Sequence, residues 1–167
     1  MIDLLPSAEQ QQIIDSVAAF LAAELPLARL RPGSDGERSG DICISAELWQ
    51  RMAGLGWFGL GIPEGRGGAG LTVVEEMLLA REVGRYAASP AIAATIAAAH
   101  LAVRGDRDLL ENLVAGKQRV AIASRLCAGS DECHLLDARG AGYCLVVDGS
   151  EARLYGTAAF DEVRAVI

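Results

Sequence analysis

The sequence of 167 residues has little lysine, few aromatic residues and no surplus of positive charge. Only one of its 15 basic residues is a lysine, Lys117, and the formal net charge is −7 at pH 7. Nucleic acids and anionic membrane surfaces attract proteins that carry clustered positive charge. The composition therefore argues against nucleic-acid binding and against attachment to an anionic membrane.

Metal-site spacing, a leader and a membrane span are also missing from the sequence. The four cysteines have neither CxxC spacing nor a cysteine–histidine pattern, which predicts reduced thiols in a cytoplasmic protein and no bound metal: they are Cys43, Cys127, Cys133 and Cys144. The N-terminal MIDLLPSAEQQQ lacks the cationic region of a signal peptide. The longest apolar stretch, residues 91–103, is shorter than the ~20 residues that cross a bilayer, and it predicts a buried helix.

Hydrophobic residues make up 51% of the chain, which is enough to bury a core, and their spacing predicts five helices before residue 117. Residues typical of helix N-termini come before each of them: Ser7 with Gln10, Ser45, Thr72 with Glu75, Ser89 with Pro90, and Asp106. Gly116 is expected to end the fifth helix. Residues 31–41 are polar and glycine-rich, and they are expected to form a mobile loop.

The pattern changes after residue 117. RVAIAS, residues 119–124, is typical of a buried strand, and residues 142–156 predict two strands around Asp148-Gly149. We therefore predict an α+β chain, with an all-α helical bundle at residues 1–117 and a partial or truncated β-domain at residues 118–167. The sequence stops at the strand-like EVRAVI without a closing element, which suggests a chain cut inside a domain.

The stretch GWFGLGIPEGRGGAGLTVVEE, residues 56–76, contains the G-x-G-x-x-G spacing of dinucleotide-binding loops at Gly65, Gly67 and Gly70. That fingerprint requires a strand before it and a βαβ unit around it. Here a predicted helix comes before the loop and a capped helix comes after it. The loop is therefore predicted to be a tight turn between packed helices and not a phosphate site.

The segment LWQRMAGLGWFGLGIPEGRGGAGLTVVEEMLLAREVGR, residues 48–85, closely resembles the N-terminal helical domain of acyl-CoA dehydrogenases. In that family a turn with Pro-Glu followed by Gly-Gly-x-Gly-Leu joins two helices. The matching residues are Gly54, Gly56, Pro63, Glu64, Gly67, Gly68, Gly70, Leu71, Glu82 and Gly84.

A second matching segment is ASRLCAGSD, residues 123–131, which is similar to the family's Thr-Glu-Pro-x-Ala-Gly-Ser-Asp. The resemblance implies that Ser124, in place of the threonine, hydrogen-bonds the flavin ring, and that Ser130 contacts the flavin or the acyl-CoA. Arg125 and Leu126 depart from the family's glutamate and proline. The residues leave a second interpretation open, in which Ser124 ends a strand and CAGSD is a turn capped by Asp131.

The resemblance, which covers residues 5–131, implies an oxidoreductase that performs FAD-dependent α,β-dehydrogenation of an acyl-CoA thioester. It also implies that the alanine-rich fourth helix helps to line the acyl pocket, through Ala94, Thr95 and Ala98. The alternative is that small residues simply allow close helix packing. His100 is expected to pack or to neutralise the helix dipole, and His134 is expected in a polar turn.

The family's catalytic base belongs to a C-terminal bundle beyond residue 167, so no catalytic residue is assigned, and this chain alone is expected to be inactive. Glu75 is interpreted as a helix cap, and Glu64, Glu76 and Glu82 as turn or solvated helix-face charges.

The family also has a flavin-packing tryptophan in the β-domain, whereas none follows Trp57 here. A second hypothesis is therefore a non-catalytic partner subunit of a heteromeric acyl-CoA dehydrogenase. A third is an unrelated helical interaction domain. The resemblance implies a homo-oligomer, or a hetero-oligomer with another acyl-CoA dehydrogenase-like chain.

Overall fold

A computed structural model describes residues 5–30, 44–125 and 132–160. Five helices and four strands lie in these ranges: α1 (Ala8–Glu24), α2 (Ala46–Gly54), α3 (Val73–Arg85), α4 (Ala91–Ala102), α5 (Arg107–Val114), β1 (Val120–Arg125), β2 (Cys133–Leu136), β3 (Tyr143–Asp148) and β4 (Glu151–Gly156). The α+β prediction is confirmed. The expectations for residues 31–41, Ser130, the CAGSD turn and the final EVRAVI lie outside the described residues.

Four of the five helices begin where the capping residues predicted; α4 begins at Ala91 with Pro90 as its N-cap, one residue later than the prediction that placed Ser89 there. The Ser7 hydroxyl accepts a hydrogen bond from the Gln10 N–H at 3.2 Å, and the Asp106 carboxylate accepts one from the Leu109 N–H at 2.9 Å. Ser45 caps α2 and Thr72 caps α3 in the same way. These side chains satisfy N–H groups that the first helical turn leaves without a partner.

Aromatic rings fill the core between α1, α2 and α3. Trp49 stacks on Phe58 with ring centroids 4.5 Å apart, and Phe20 meets the edge of Trp57 at 5.2 Å. Leu21 and Met52 are fully buried beside them. This core fixes α2 and the residues that follow it, and so it positions the start of the glycine-rich stretch.

The strands form one sheet in the order β2-β1-β3-β4, in which β1 is parallel to β3 and the other pairs are antiparallel. In the predicted hairpin Asp148 pairs with Glu151, so the turn residues are Gly149 and Ser150, one position later than expected. Strand β2 was not predicted. His134 lies in β2 opposite Ser124, and the expectation of a polar turn there was wrong.

Helices and sheet share a second core. Ile62, Leu110 and Leu113 pack with Val120 and Leu145, so α4 and α5 cover one face of β1 and β3. This core extends across the domain boundary that was predicted between residues 117 and 118. The boundary itself stays a prediction.

Polar contacts reinforce the same junction. The Thr95 hydroxyl of α4 accepts a hydrogen bond from the Val120 N–H at 3.2 Å, at the start of β1. The Arg119 guanidinium donates to the main-chain oxygens of Ile44 and Ser45 at 2.8 and 2.9 Å. The position of β1 relative to the bundle is therefore set by directional bonds as well as by packing.

Among residues 5–30, 44–125 and 132–160, no helix is both long enough and apolar enough to cross a membrane.

Candidate functional site

The glycine-rich loop, residues 56–71, is a compact turn held by its own main chain. The N–H of Ala69 donates to the Gly59 oxygen at 2.9 Å, and the N–H of Gly70 donates to the Ile62 oxygen at 2.9 Å. The N–H of Leu71 donates to the Leu60 oxygen at 2.8 Å. Because these amide groups bond within the loop, they do not form a phosphate cradle, and the loop joins two helices as predicted.

Glu76 anchors this loop to α3 and α4. Its carboxylate accepts a hydrogen bond from the Gly61 N–H at 2.9 Å, and the Nε2 atom of His100 lies 2.8 and 2.9 Å from the two carboxylate oxygens. The Glu76 side chain is 8% exposed and the His100 side chain 43%. The expectation that Glu76 is a solvated helix-face charge was therefore wrong, and the half-exposed His100 bonds to it.

Glu75 caps α3 as predicted. Its carboxylate accepts hydrogen bonds from the Thr72 hydroxyl at 2.5 Å, the Gln10 side chain at 2.8 Å and the Thr72 N–H at 2.9 Å. These bonds, the Thr72 hydroxyl first, lower the pKa of Glu75 to about 2. The carboxylate thus stays ionised at neutral pH and links α3 to α1.

Glu82 is also inside the protein, contrary to the expectation of a solvated charge. It is fully buried, and its oxygens accept hydrogen bonds from the Arg81 Nε at 3.1 Å and from the Arg85 NH1 at 3.1 and 3.3 Å. A general base must reach its substrate and have a free lone pair. Glu75, Glu76 and Glu82 are each committed to internal bonds.

Ser124 is the one predicted flavin contact among the described residues. It is the second-last residue of β1, its side chain is exposed, and its hydroxyl has no hydrogen-bond partner in the described ranges. Residues of a strand alternate between the two sheet faces. Ser124 therefore shares its face with Val120 and Ile122, which pack against the helices, but lies at the open end of that face.

A polar cavity of about 290 Å³ lies at the same end of the sheet. Its lining includes Arg125 of β1, Asp148 of β3, and Arg153 and Tyr155 of β4. The Arg125 Nε is 3.6 Å from the Asp148 carboxylate, and Arg153 forms an ion pair with Glu151 at 2.5 Å. The sequence did not point to Arg153 and Tyr155, because they come to line the same cavity as Arg125 only through the pairing of β3 with both β1 and β4.

The exposed hydroxyl of Ser124 fits the polar edge of a flavin ring, which carries nitrogen and carbonyl oxygen atoms that accept hydrogen bonds. Arg125, the next residue of β1, lies on the opposite face of the sheet together with the cavity, so it does not act beside the Ser124 hydroxyl.

Ala94, Thr95 and Ala98 lie on the covered side of α4. Their exposure is 1%, 0% and 0%, and the Thr95 hydroxyl is occupied by the Val120 N–H. Close packing of α4 against α5 and β1 accounts for this burial. The prediction that these three residues line an acyl pocket stays a prediction.

Comparison with solved structures finds the same fold in several proteins. The FAD complex of PigA is 22% identical with a TM-score of 0.64, over 93% of this chain and 50% of that one. The ChsE4-ChsE5 complex from Mycobacterium tuberculosis is 18% identical with a TM-score of 0.64, over 93% of this chain and 49% of that one. Butyryl-CoA dehydrogenase from Megasphaera elsdenii is 19% identical with a TM-score of 0.60, over 93% of this chain and 50% of that one. The chain thus spans about half the length of these proteins.

No curated protein matches significantly. The profile of the acyl-CoA dehydrogenase N-terminal domain matches residues 7–115, which include α1 to α5 and the glycine-rich loop. The chain therefore belongs to the acyl-CoA dehydrogenase family and contains that family's N-terminal domain.

Proposed function

We propose that this chain forms the N-terminal helical domain and the first strands of an FAD-dependent acyl-CoA dehydrogenase. The observation that carries the proposal is the family match over residues 7–115, on a chain whose glycine-rich loop joins α2 to α3 as the family motif requires. The reaction is the removal of hydrogen from the α- and β-carbons of an acyl-CoA thioester.

In this proposal the chain binds and orients, and the group that removes the α-proton comes from elsewhere. When bound, FAD supplies the acceptor for the hydride that leaves the β-carbon. Ser124 donates a hydrogen bond to the flavin ring, and Ser130 contacts the flavin or the acyl-CoA. Ala94, Thr95 and Ala98 form part of the wall of the acyl pocket. The base is supplied outside the described residues, since the buried glutamates of α3 are held by internal bonds.

Titration of the chain with FAD, followed by flavin fluorescence, tests the cofactor role of Ser124. Loss of one hydrogen bond of about 1 kcal/mol weakens binding about fivefold, so Ser124→Ala should raise the dissociation constant by that factor. Ser16→Ala, at an exposed serine of α1, is the matched control and should leave binding unchanged. Equal affinities for the two variants would contradict the role of Ser124.

The activity is tested by the visible spectrum of the longest polypeptide that the coding sequence specifies, titrated with a panel of acyl-CoAs. Bleaching of the flavin band by one member of the panel is expected. A flavin-loaded protein that no acyl-CoA bleaches would argue against the proposed reaction.

The second candidate is a non-catalytic partner subunit of a heteromeric acyl-CoA dehydrogenase. One observation favours it: the cavity at the end of β1 is lined by the ion-paired Arg125 and Arg153. It predicts that the chain co-purifies with a second acyl-CoA dehydrogenase-like chain that carries the flavin. A protein that is yellow and active on its own would exclude this candidate.

A cytoplasmic location is part of the same proposal. In a reducing compartment thiols stay free, and Cys133 and Cys144 are free in the structure. Fractionation of cells that express the tagged chain should recover it with cytoplasmic markers.

A further inference from the structure

The pairing of β1 with β2 brings Ser124 and His134 together at the open end of the sheet face that the helices cover. The two residues are direct partners in the antiparallel register, and both are exposed. Directly opposed residues of such a pair share a face, with Cβ atoms about 4.5–5.5 Å apart. Neither side chain has a hydrogen-bond partner within the parts of the chain that the structure describes. A hydroxyl and an imidazole are thus adjacent and open to a ligand.

Two exposed apolar side chains lie beside this polar pair on the same face. The parallel register pairs Ala123 with Val146. Val147 of β3 therefore lies level with Ser124, and its side chain is 62% exposed. Leu136 of β2 lies one row further in and is 48% exposed. The two apolar side chains and the polar pair form a sheet-end patch that spans three strands, a width of about 10 Å.

The chemistry of the sheet-end patch differs from that of the opposite face. The polar cavity on the opposite face is lined by two arginines and two acids, whereas the sheet-end patch contains no guanidinium and no carboxylate. An oxidised flavin ring is planar and uncharged, with one apolar end and one edge of carbonyl oxygens, ring nitrogens and an N–H group. Apolar contact and a few placed hydrogen-bonding groups favour binding of such a ring, whereas desolvation of fixed charges opposes it. The sheet-end patch therefore fits the ring better than the cavity does.

We propose that His134 binds the polar edge of the flavin ring together with Ser124, while Leu136 and Val147 contact the apolar part of the ring. This inference rests on the proposed function, which supplies FAD as the cofactor. A neutral imidazole has one nitrogen that accepts a hydrogen bond and one that donates. His134 accepts a hydrogen bond from the N–H group of the ring, and the Ser124 hydroxyl donates to a carbonyl oxygen. The pair thus recognises both kinds of polar atom on that edge and fixes the orientation of the ring.

The chain has two histidines, so NMR of the imidazole ring signals tests the proposal directly. His134→Ala removes one set of ring signals and thereby assigns both. On titration of the full chain with FAD, the His134 signals should shift with the same dissociation constant that flavin fluorescence gives. His100 is the internal control, because it is bound to Glu76 between α3 and α4, and its signals should stay unchanged. FAD that binds without shifting the His134 signals overturns the proposal.

The affinity for FAD gives a second test, which also identifies the face of the sheet. His134→Ala should raise the dissociation constant about fivefold, the effect of one hydrogen bond, and His134→Gln should recover part of the affinity because it keeps a donor and an acceptor. Arg153→Gln is the matched control, since Arg153 is exposed on the opposite face of the same sheet, and it should leave the affinity unchanged. Weaker binding by Arg153→Gln, with none by His134→Ala, would place the ring on the cavity face and refute the proposal.

Failure of the His134 role can be distinguished from failure of the proposed function. If Ser124→Ala weakens FAD binding and His134→Ala does not, the role of His134 is refuted and the role of Ser124 stands. If the wild type binds no FAD, the role of His134 and the cofactor role of this chain are refuted together. Circular dichroism of each variant should match the wild type, so that a change in affinity reports on the patch and not on folding.

Discussion

Replacement of Gly68 by alanine tests how tightly the glycine-rich loop is folded on itself. A Cβ at this position would lie 2.1 Å from the Ile62 oxygen and 2.6 Å from the Gly59 oxygen. Both are main-chain atoms, and both already accept loop hydrogen bonds, from Gly70 and Ala69 respectively. The new methyl group therefore cannot be accommodated by the rotation of a side chain.

The expected cost follows from these contacts. Insertion of an extra carbon into a well-packed site costs about 1–3 kcal/mol, and each of two displaced hydrogen bonds adds about 1 kcal/mol. We expect Gly68→Ala to lower the free energy of unfolding by about 3–5 kcal/mol. For a chain of this length, that corresponds to a fall in Tm of about 6–20 °C.

Two other glycines of the loop are matched controls. A Cβ at Gly65 would have no atom of the described residues within 4 Å, and its φ is ordinary, so Gly65→Ala should change stability by less than about 1 kcal/mol. Gly67 has the same open space but a φ of +86°, so Gly67→Ala should cost about 1–2 kcal/mol through backbone strain alone. Urea denaturation monitored by circular dichroism measures all three. A Gly68→Ala variant within about 1 kcal/mol of the wild type would refute the close approach.

Three further substitutions probe single polar contacts. Glu75→Gln should lower Tm at pH 7. The pKa of Glu75 is about 2 in the folded chain against an ordinary 4.5, so the difference in Tm between wild type and variant should shrink as pH falls from 4.5 and vanish near pH 2. Thr95→Val should cost about 1–3 kcal/mol in urea denaturation by leaving the buried Val120 N–H unpaired, whereas Thr95→Ser should retain most of the stability. Arg29 donates hydrogen bonds to four main-chain oxygens at the C-terminal ends of α1 and α3. Arg29→Met should therefore lower Tm clearly. Arg29→Lys should recover only part of that loss of Tm, because one ammonium group cannot reach the ends of both helices. Equal Tm values for the Met and Lys variants would contradict that account.

The helix starts could be predicted because capping is a local property of the sequence. Ser7, Ser45, Thr72 and Asp106 each bond an N–H group two or three residues ahead, so spacing alone reveals them. The β3–β4 hairpin was predictable for the same reason, apart from a shift of one residue in its turn. The family motif added what spacing could not, namely which fold these local elements belong to.

The features that sequence analysis missed depend on residues far apart in the chain. Strand β2 has only four residues, and its pairing with β1 determines its conformation more than its own pattern does. Glu76 looks like a surface acid until His100, 24 positions later, is brought against it. The candidate site shows the same limit, because Arg153 and Tyr155 share a cavity with Arg125 only through the pairing of β3 with both β1 and β4.

The bond between Thr95 and Val120 has a consequence for how such a gene can be rearranged. A crossover between related genes at the α5–β1 junction would join one parent's α4 surface to the other parent's first strand. The small side chains of Ala94 and Ala98 and the hydroxyl of Thr95 would then meet a strand that had diverged separately. Exchanges that keep α4 and β1 together avoid this mismatch, so the segment from α4 through β1 should be inherited as one block.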